Sequence, residues 1–525
     1  MTESRGITSS QWLALVAILL GTFIAVLDNS LMNVALPKLM AIFGSSAKDI
    51  EWVVTGYMLA SAVVVPTSGF LADRFGYKTI FLITVAFFTF GSALCGIAWS
   101  EMSLIIFRII QGLGGGFIMP LGMAMIYQII PRDKVQVALG VFGIAAMAAP
   151  AVGPTLGGYL VDHLSWRYLF LINIPIGIAA VIVGLSVLKE TPKREGLKFD
   201  YIGTMLSMIL FTTLLLALSE GSSEGWTSPY IVSLFFVSTF SFLLFIWVEL
   251  GTEHALLDLR MFKNPVFTIS TICSSFVMIA LQGGVFLMPM FFQNVQGLSP
   301  METGLVMMPQ SIAMAIMMPV SGKLASKFGV VPLAVSGLII MGITTFELGS
   351  LNLQTSNHWL ELILAIRGIG IGLCMMPISS AAMNTMPNHQ IARASSLSNV
   401  FRNVAASFGI AVLTSIMTNR QTLIAGQLSD QVNNMSPALA QFQTDVAYRY
   451  LELGADVASS KSGYVSVLMG LIQKEALVRA LADTLLITAV PAFISIIFIL
   501  LIKEKKKPDA ADGQKDAQAH VMVEM

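Results

Sequence analysis

Long apolar runs recur along this chain, each approaching the ~20 residues that cross a ~30 Å hydrocarbon core, and the charges sit in short stretches between them. Backbone groups in lipid must satisfy one another, so such runs fold as bilayer-spanning helices. Of 525 residues, 30 are Lys or Arg and 30 are Asp or Glu, so only 11% are charged, and the mean hydropathy is +0.79. A soluble domain carries roughly 25% charge. The composition therefore excludes a soluble enzyme, a disordered chain and a nucleic-acid binder with a basic face. A polytopic membrane protein remains.

Fourteen candidate spans follow, at roughly 12–36, 51–71, 79–99, 103–129, 137–160, 166–188, 201–218, 230–249, 266–292, 302–325, 330–350, 359–386, 394–418 and 480–502. The first run is too long for a signal peptide and lacks a small-residue cleavage pattern, so it is read as a retained span. With the N-terminus inside, nineteen of the Lys and Arg fall in cytoplasmic segments and three, Lys38, Lys48 and Arg167, in short outer loops. That bias puts both termini in the cytoplasm. Five more lie in one long outer loop, 419–479, and Arg108, Arg367 and Arg402 lie inside spans. A run in that loop, Val465-Ser466-Val467-Leu468-Met469-Gly470-Leu471-Ile472, suggests amphipathic helix.

The three cysteines sit in apolar runs and the five histidines are scattered, so neither a disulfide frame nor a metal site is expected. The Gly-rich stretches after Gln111 and from Gly368 lie inside spans, with no preceding strand and no P-loop Lys. No nucleotide or other cofactor is expected, so the energy source is not ATP.

An internal repeat sets the architecture. Residues 66–76 (PTSGFLADRFG) recur as 319–329 (PVSGKLASKFG), seven of eleven identical, and Arg108 before a Gly-rich stretch ending at Pro120 is echoed by Arg367 before Pro377. Parallel halves around a midplane cavity are a secondary-transporter design. The expected parts are an N-terminal six-helix half (1–188), a linker with an inserted helix pair (189–265), a C-terminal six-helix half with the outer loop (266–502) and a cytoplasmic tail (503–525).

Asp28 is the sharpest residue, because a carboxylate within a span costs several kcal/mol unless paired, wetted or protonated. Asp28 and Arg108 fall at similar depth in the outer half, which permits a direct or water-bridged interaction. That pair either carries the coupling proton or merely pins two spans together. Ala145, Ala149, Gly153 and Gly157 recur every four residues, a small-residue stripe for close helix contact, with Pro150 and Pro154 adding bends. Asn29, Asn33, Gln111, Gln282, Gln293, Asn294, Gln310, Asn399 and Asn403 are neutral polar groups in spans, serving either a cavity or interhelical bonds. Asn29, Asn33, Gln111, Gln293 and Arg367 are the candidates for the cavity. Arg367 and Arg402 have no evident acidic partner in the sequence; Glu347 and Glu361 are the candidates.

Several of these motifs resemble the major facilitator superfamily, and specifically its fourteen-span drug:proton antiporters of the EmrB/QacA type. The resemblance rests on Leu27-Asp28-Asn29-Ser30-Leu31-Met32-Asn33 in the first span, Trp52-Val53-Val54-Thr55-Gly56-Tyr57 in the second, and the 69–78 turn after it. Arg108-Ile109-Ile110-Gln111-Gly112 resembles the fourth-span motif, and Gly153-Pro154-Thr155-Leu156-Gly157-Gly158 the antiporter motif, with Ala149 where Gly is frequent. Trp166-Arg167 and Ile172-Asn173-Ile174-Pro175 fit the sixth span; Ala394-Ser395-Ser396-Leu397-Ser398-Asn399 and Thr418-Asn419-Arg420 fit the EmrB-type branch. It implies an all-α fold of two six-helix halves plus two central helices, and proton-driven export of small amphipathic or cationic compounds from the cell. It also implies coupling through Asp28 and Arg108, gating by Gly69, Asp73, Arg74, Gly76 and Lys78, and an antiporter motif at Gly153, Pro154, Gly157 and Gly158. In the second turn Ser326 replaces Asp73, so an interlock there is not implied. A periplasmic adaptor protein docking on 419–479 is a further implied partner. Two other readings stay open: a proton-coupled exporter of one metabolite, siderophore or lipid, and an uncoupled facilitator or channel.

Overall fold

The computed structural model describes residues 8–45, 47–131, 134–191, 193, 199–252, 257–387, 390–432, 437–452 and 457–502. The basic tail lies outside the described residues, as do the side chains of Asn33 and Pro154. Every regular element described is helical: α1 (Ser9–Phe43), α2 (Ala47–Val64), α3 (Ser68–Phe75), α4 (Tyr77–Gly96), α5 (Glu101–Ile129), α6 (Val135–His163), α7 (Tyr168–Leu171) and α8 (Asn173–Val187). There follow α9 (Tyr201–Glu224), α10 (Pro229–Gly251), α11 (Pro265–Met290), α12 (Pro300–Phe328), α13 (Val330–Glu347), α14 (Asn357–Asn384), α15 (Ile391–Asp430), α16 (Pro437–Glu452) and α17 (Val457–Leu500).

Local chemistry sets many of these ends. Ser100 and Ser299 open α5 and α12 by accepting from the backbone three residues on, and Pro229, Pro265 and Pro300 stand where a helix has no use for an N–H. A short tight turn, Val65–Thr67, joins α2 and α3 into one span, and a π-helical turn, Phe291–Val295, extends α11. Thirteen helical stretches among the described residues are long and apolar enough to cross a membrane. With the 29-residue α6 the number agrees with the fourteen expected.

The long loop is different from a span-to-span connection. α15 runs through it to Asp430, α16 occupies its middle, and α17 begins at Val457, far before the expected start at 480. At 1.5 Å per residue the 44 residues of α17 reach about 66 Å, twice a hydrocarbon core, so its first half stands outside the span. The run 465–472, read as helix within the loop, is part of α17.

The repeat is a repeat of geometry. Gly76 (φ 97°) and Gly329 (φ 90°) each stop one helix and start the next, with their N–H groups donating to Ala72 and Ala325 oxygens at 2.9 and 3.0 Å. Only glycine holds that φ without strain. Gly76→Ala and Gly329→Ala are each expected to cost about 1–3 kcal/mol, read as a lowered unfolding temperature in detergent. Unchanged melting would contradict this reading of the turns.

The two ends of the bundle differ. At the end carrying residues 69–78, one apolar cluster draws on both halves: Ile126, Ile130 and Leu139 pack with Met383, Ile391, Leu397 and Val400, and with Leu210 and Phe211 of α9. At the opposite end, the end of α16, the apolar clusters separate, one around Leu31, Trp166 and Phe170, the other around Phe291, Leu360 and Leu481. α9 fills the side of this arrangement by packing on both α2 and α15, and Trp226 Nε1 donates to Ser415 Oγ at 3.1 Å.

Candidate functional site

Six N-terminal elements converge on Asp28. It is 1% exposed on α1, and Arg108, fully buried on α5, forms an ion pair with its Oδ2. Oδ1 accepts from Gln111 Nε2 at 2.9 Å and from Asn173 Nδ2 at 2.7 Å. Both amides also donate to Ser92 Oγ on α4, at 3.2 and 3.0 Å. The break between α7 and α8 brings Asn173 inward, and Ser92 is tied there by donating to Phe170 O at 2.9 Å. Arg108 donates in turn to Val53 O at 3.0 Å and Gln111 Oε1 at 2.8 Å, and its guanidinium lies 4.3 Å from the Tyr57 ring centre. A charge in so apolar a setting is held by pairing, hydrogen bonds and an aromatic face together. Arg108 Nη2 and Asn173 Oδ1 are buried with no hydrogen-bond partner among the described residues.

The repeat places Arg367 similarly, with different partners. It is fully buried on α14, and its guanidinium donates to Thr345 Oγ1 (3.0 Å), Gln310 Oε1 (3.2 Å) and Ala280 O (2.7 Å), all neutral. Gly284 leaves the room, since a Cβ there would stand 2.3 Å from Arg367 Nη1. Glu361 lies beside His358 at 3.5 Å, and neither it nor Glu347 pairs with Arg367 or Arg402. Arg402 reaches Asn399 Oδ1 at 2.5 Å and Ser379 Oγ at 3.4 Å.

The 69–78 turn meets the other half. Asp73 accepts from Tyr77 OH at 2.9 Å and lies 3.4 Å from Arg393 Nε at the start of α15. Gly69 lets that helix in, because a Cβ would be 3.2–3.4 Å from Arg393, backbone included. Ser396 Oγ donates to Val65 O at 2.8 Å. Lys78 turns the other way, its Nζ donating to Leu185 O at 3.0 Å, and Arg74 is exposed over Phe75. Glu190, just past α8, accepts from the Lys78 and Thr79 N–H groups at 3.2 Å each and so caps α4. A Cβ on Gly76 would strike that carboxylate.

The small residues of α6 divide into two faces. Gly153 and Gly157 pack against Ser30 and Leu31 of α1, inside the N-terminal half. The seam between the halves uses Gly140, Gly143 and Gly158, against Pro319, Met318 and Met301 of α12. These pairs run antiparallel along the length of both helices. Asn29 is half-buried beside Asp28, while Gln293 is exposed in the π-helical turn that extends α11, in the other half. Gln111 belongs to the Asp28 network. Asn173, Ser92, Arg393 and Glu190 are contributors the sequence reading did not assign; Asn173 stood in a quoted motif, and the other three carry no local signal.

This arrangement can be set beside known proteins. Residues 18–410 match the family model described as Major Facilitator Superfamily. The MFS-type transporter YhcA of Bacillus subtilis is 37% identical over 449 residues, 85% of this chain and 84% of that one. The multidrug export protein EmrB of Escherichia coli K12 is 33% identical over 430 residues, 80% and 83% of the two chains. Among solved structures, the proton:xylose symporter XylE superposes with a TM-score of 0.63 at 14% identity, covering 96% of this chain and 98% of that one. The repeated turn, the paired halves and the matched length agree, and the chain belongs to the Major Facilitator Superfamily.

Proposed function

We propose that this chain is a multidrug exporter that moves small amphipathic compounds out of the cell in exchange for protons, by alternating access. The observation that carries the coupling is the buried Asp28 carboxylate, held entirely by donors: Arg108, Gln111 and Asn173. Protonation puts a hydrogen where a donor now points, so the Asp28 network must rearrange. Arg108 then loses its counter-ion, and its spare Nη2, with Asn173 Oδ1, supplies valences for a second arrangement. EmrB's name as a multidrug export protein supports the cargo class.

In this reading the chain sits in the cell membrane with the 69–78 end and both termini in the cytoplasm, and the state described is closed to the cytoplasm and parted outside. Asp73 with Arg393, and Ser396 with Val65, latch that closure; Gly69 permits it, while Gly76, Arg74 and Lys78 shape the turn that carries it. The units 1–188, 189–265 and 266–502 act as two rocking halves and an inserted pair. Gly153, Gly157 and Gly158 let α6 sit close to α1 and α12, and Pro154 belongs to the same antiporter motif. The helical projection at 419–479 is the place for an adaptor protein, tested by pull-down with and without it.

The test is efflux of a fluorescent amphipathic dye in everted vesicles. Dye movement is expected to follow an imposed pH gradient and to collapse with a protonophore. Movement indifferent to the gradient would favour an uncoupled facilitator.

A further inference from the structure

The buried arginines of the two halves are matched differently. Asp28 and Arg108 neutralise each other, and Arg420 pairs with Asp483 towards the α16 end. Arg367 and Arg402 stand in C-terminal spans with no carboxylate within ion-pair distance among the described residues. Their situations differ. Arg367 is fully buried and each of its nitrogens has a neutral partner. Arg402 is half-buried, one donor goes to Asn399 on its own helix, one reaches Ser379 at 3.4 Å, and its Nε has no partner among the described residues and is not sealed from solvent.

Its position is set by helix order. α11 packs against both α14 and α15, and Arg402 reaches from α15 to Ser379 on α14. Leu397 and Val400, one turn towards the 69–78 end, are already part of the shared apolar layer, and Val404 packs on its edge. Arg402 therefore lies level with the α16-side margin of that layer, between Val400 and Val404. A guanidinium there has five donors in a planar fork, suited to a carboxylate or similar anion, and only two of them are engaged.

We propose that Arg402 faces the cleft between the halves and is a cargo-reading residue there, engaging an anionic group, a carboxylate or sulfonate, on an amphipathic cargo. The proposal rests on the export reading and narrows its cargo. Charge-assisted bonds in a low-dielectric cleft favour such a cargo, and a cationic one meets an uncompensated positive charge.

The experiment uses two fluorophores on one aromatic scaffold, one ending in a carboxylate and one in a quaternary ammonium, transported by proteoliposomes carrying wild type, Arg402→Gln or Arg402→Lys. Wild type is expected to take the carboxylate probe with a KM about tenfold lower than its cationic analogue. Arg402→Gln is expected to raise the KM for the carboxylate probe about tenfold with the cationic KM unchanged or lower, and Arg402→Lys to restore part of the difference. A purely structural role would lower transport of both probes alike and leave the ratio of their KM values unmoved; that result overturns the proposal and leaves export intact. Wild type that moves neither probe overturns the export reading and the proposal with it.

Discussion

Asp28→Asn is expected to abolish gradient-driven export while leaving folded protein in the membrane. The amide keeps the shape and an acceptor oxygen for Asn173 and Gln111. Arg108 keeps Val53 O, Gln111 Oε1 and the Tyr57 face, so the bundle retains most of its ties. What disappears is the carboxylate to which the proposed mechanism assigns the proton. Arg108→Ala is expected to be harsher, since it strips a buried carboxylate of its counter-ion, a loss of about 3–5 kcal/mol, visible as reduced thermal stability as well as lost transport. Arg108→Lys is not expected to rescue, because one ammonium cannot serve Asp28, Gln111 and Val53 O from a stacked plane. Undiminished gradient-driven export by Asp28→Asn would move the proton site elsewhere.

The second large effect is expected at the seam between the halves. Gly140→Ala adds a Cβ 2.5 Å from Pro319 Cα and 2.9 Å from Pro319 N, both backbone atoms that cannot swing aside. Gly158→Ala on the same helix faces Met301 at 3.6 Å, an ordinary contact. Overpacking of this kind costs about 1–3 kcal/mol, which lowers the population of the state closed at the 69–78 end by about five- to 150-fold. Gly140→Ala is therefore expected to reduce export sharply at normal protein level, and to expose a cysteine placed beside Leu397 to a thiol reagent added from the cytoplasmic side. Gly158→Ala should do neither. Equal behaviour of the two variants would mean that the α6–α12 seam does not control the transition.

Much of this was legible beforehand, for physical reasons. Lipid leaves helices as the only economical backbone for long apolar runs, so span number and order followed from hydropathy, and the 66–76 repeat revealed the two halves. Asp28 and Arg108 stood out because charges in spans are rare and need each other. Asn173 and Ser92 did not, since a neutral polar residue in a span is ambiguous until three other helices are placed around it. Arg393 was counted as a cytoplasmic anchor; its role as the partner of Asp73 exists only once α15 is folded against α3. Gly153 and Gly157 of the α6 stripe both meet α1, while the seam with α12, at Gly140 and Gly143, was not read, since the helical angle that assigns it needs the neighbours. The outer end of α15 escaped a hydropathy reading because helix outside the lipid is polar, whereas the helix at 465–472 was legible but its continuity with the last span was not.

Proton movement measured together with cargo movement tests the central claim most directly. Purified protein would be reconstituted in liposomes with a pH-sensitive dye trapped inside, and a cargo gradient imposed at equal pH on both sides. Wild type is expected to drive protons opposite to the cargo, and Asp28→Asn to show no cargo-driven proton flux. Proton counterflow of equal size in both proteins, or cargo flux in wild type with no proton flux, would contradict Asp28 as the coupling residue of this antiporter.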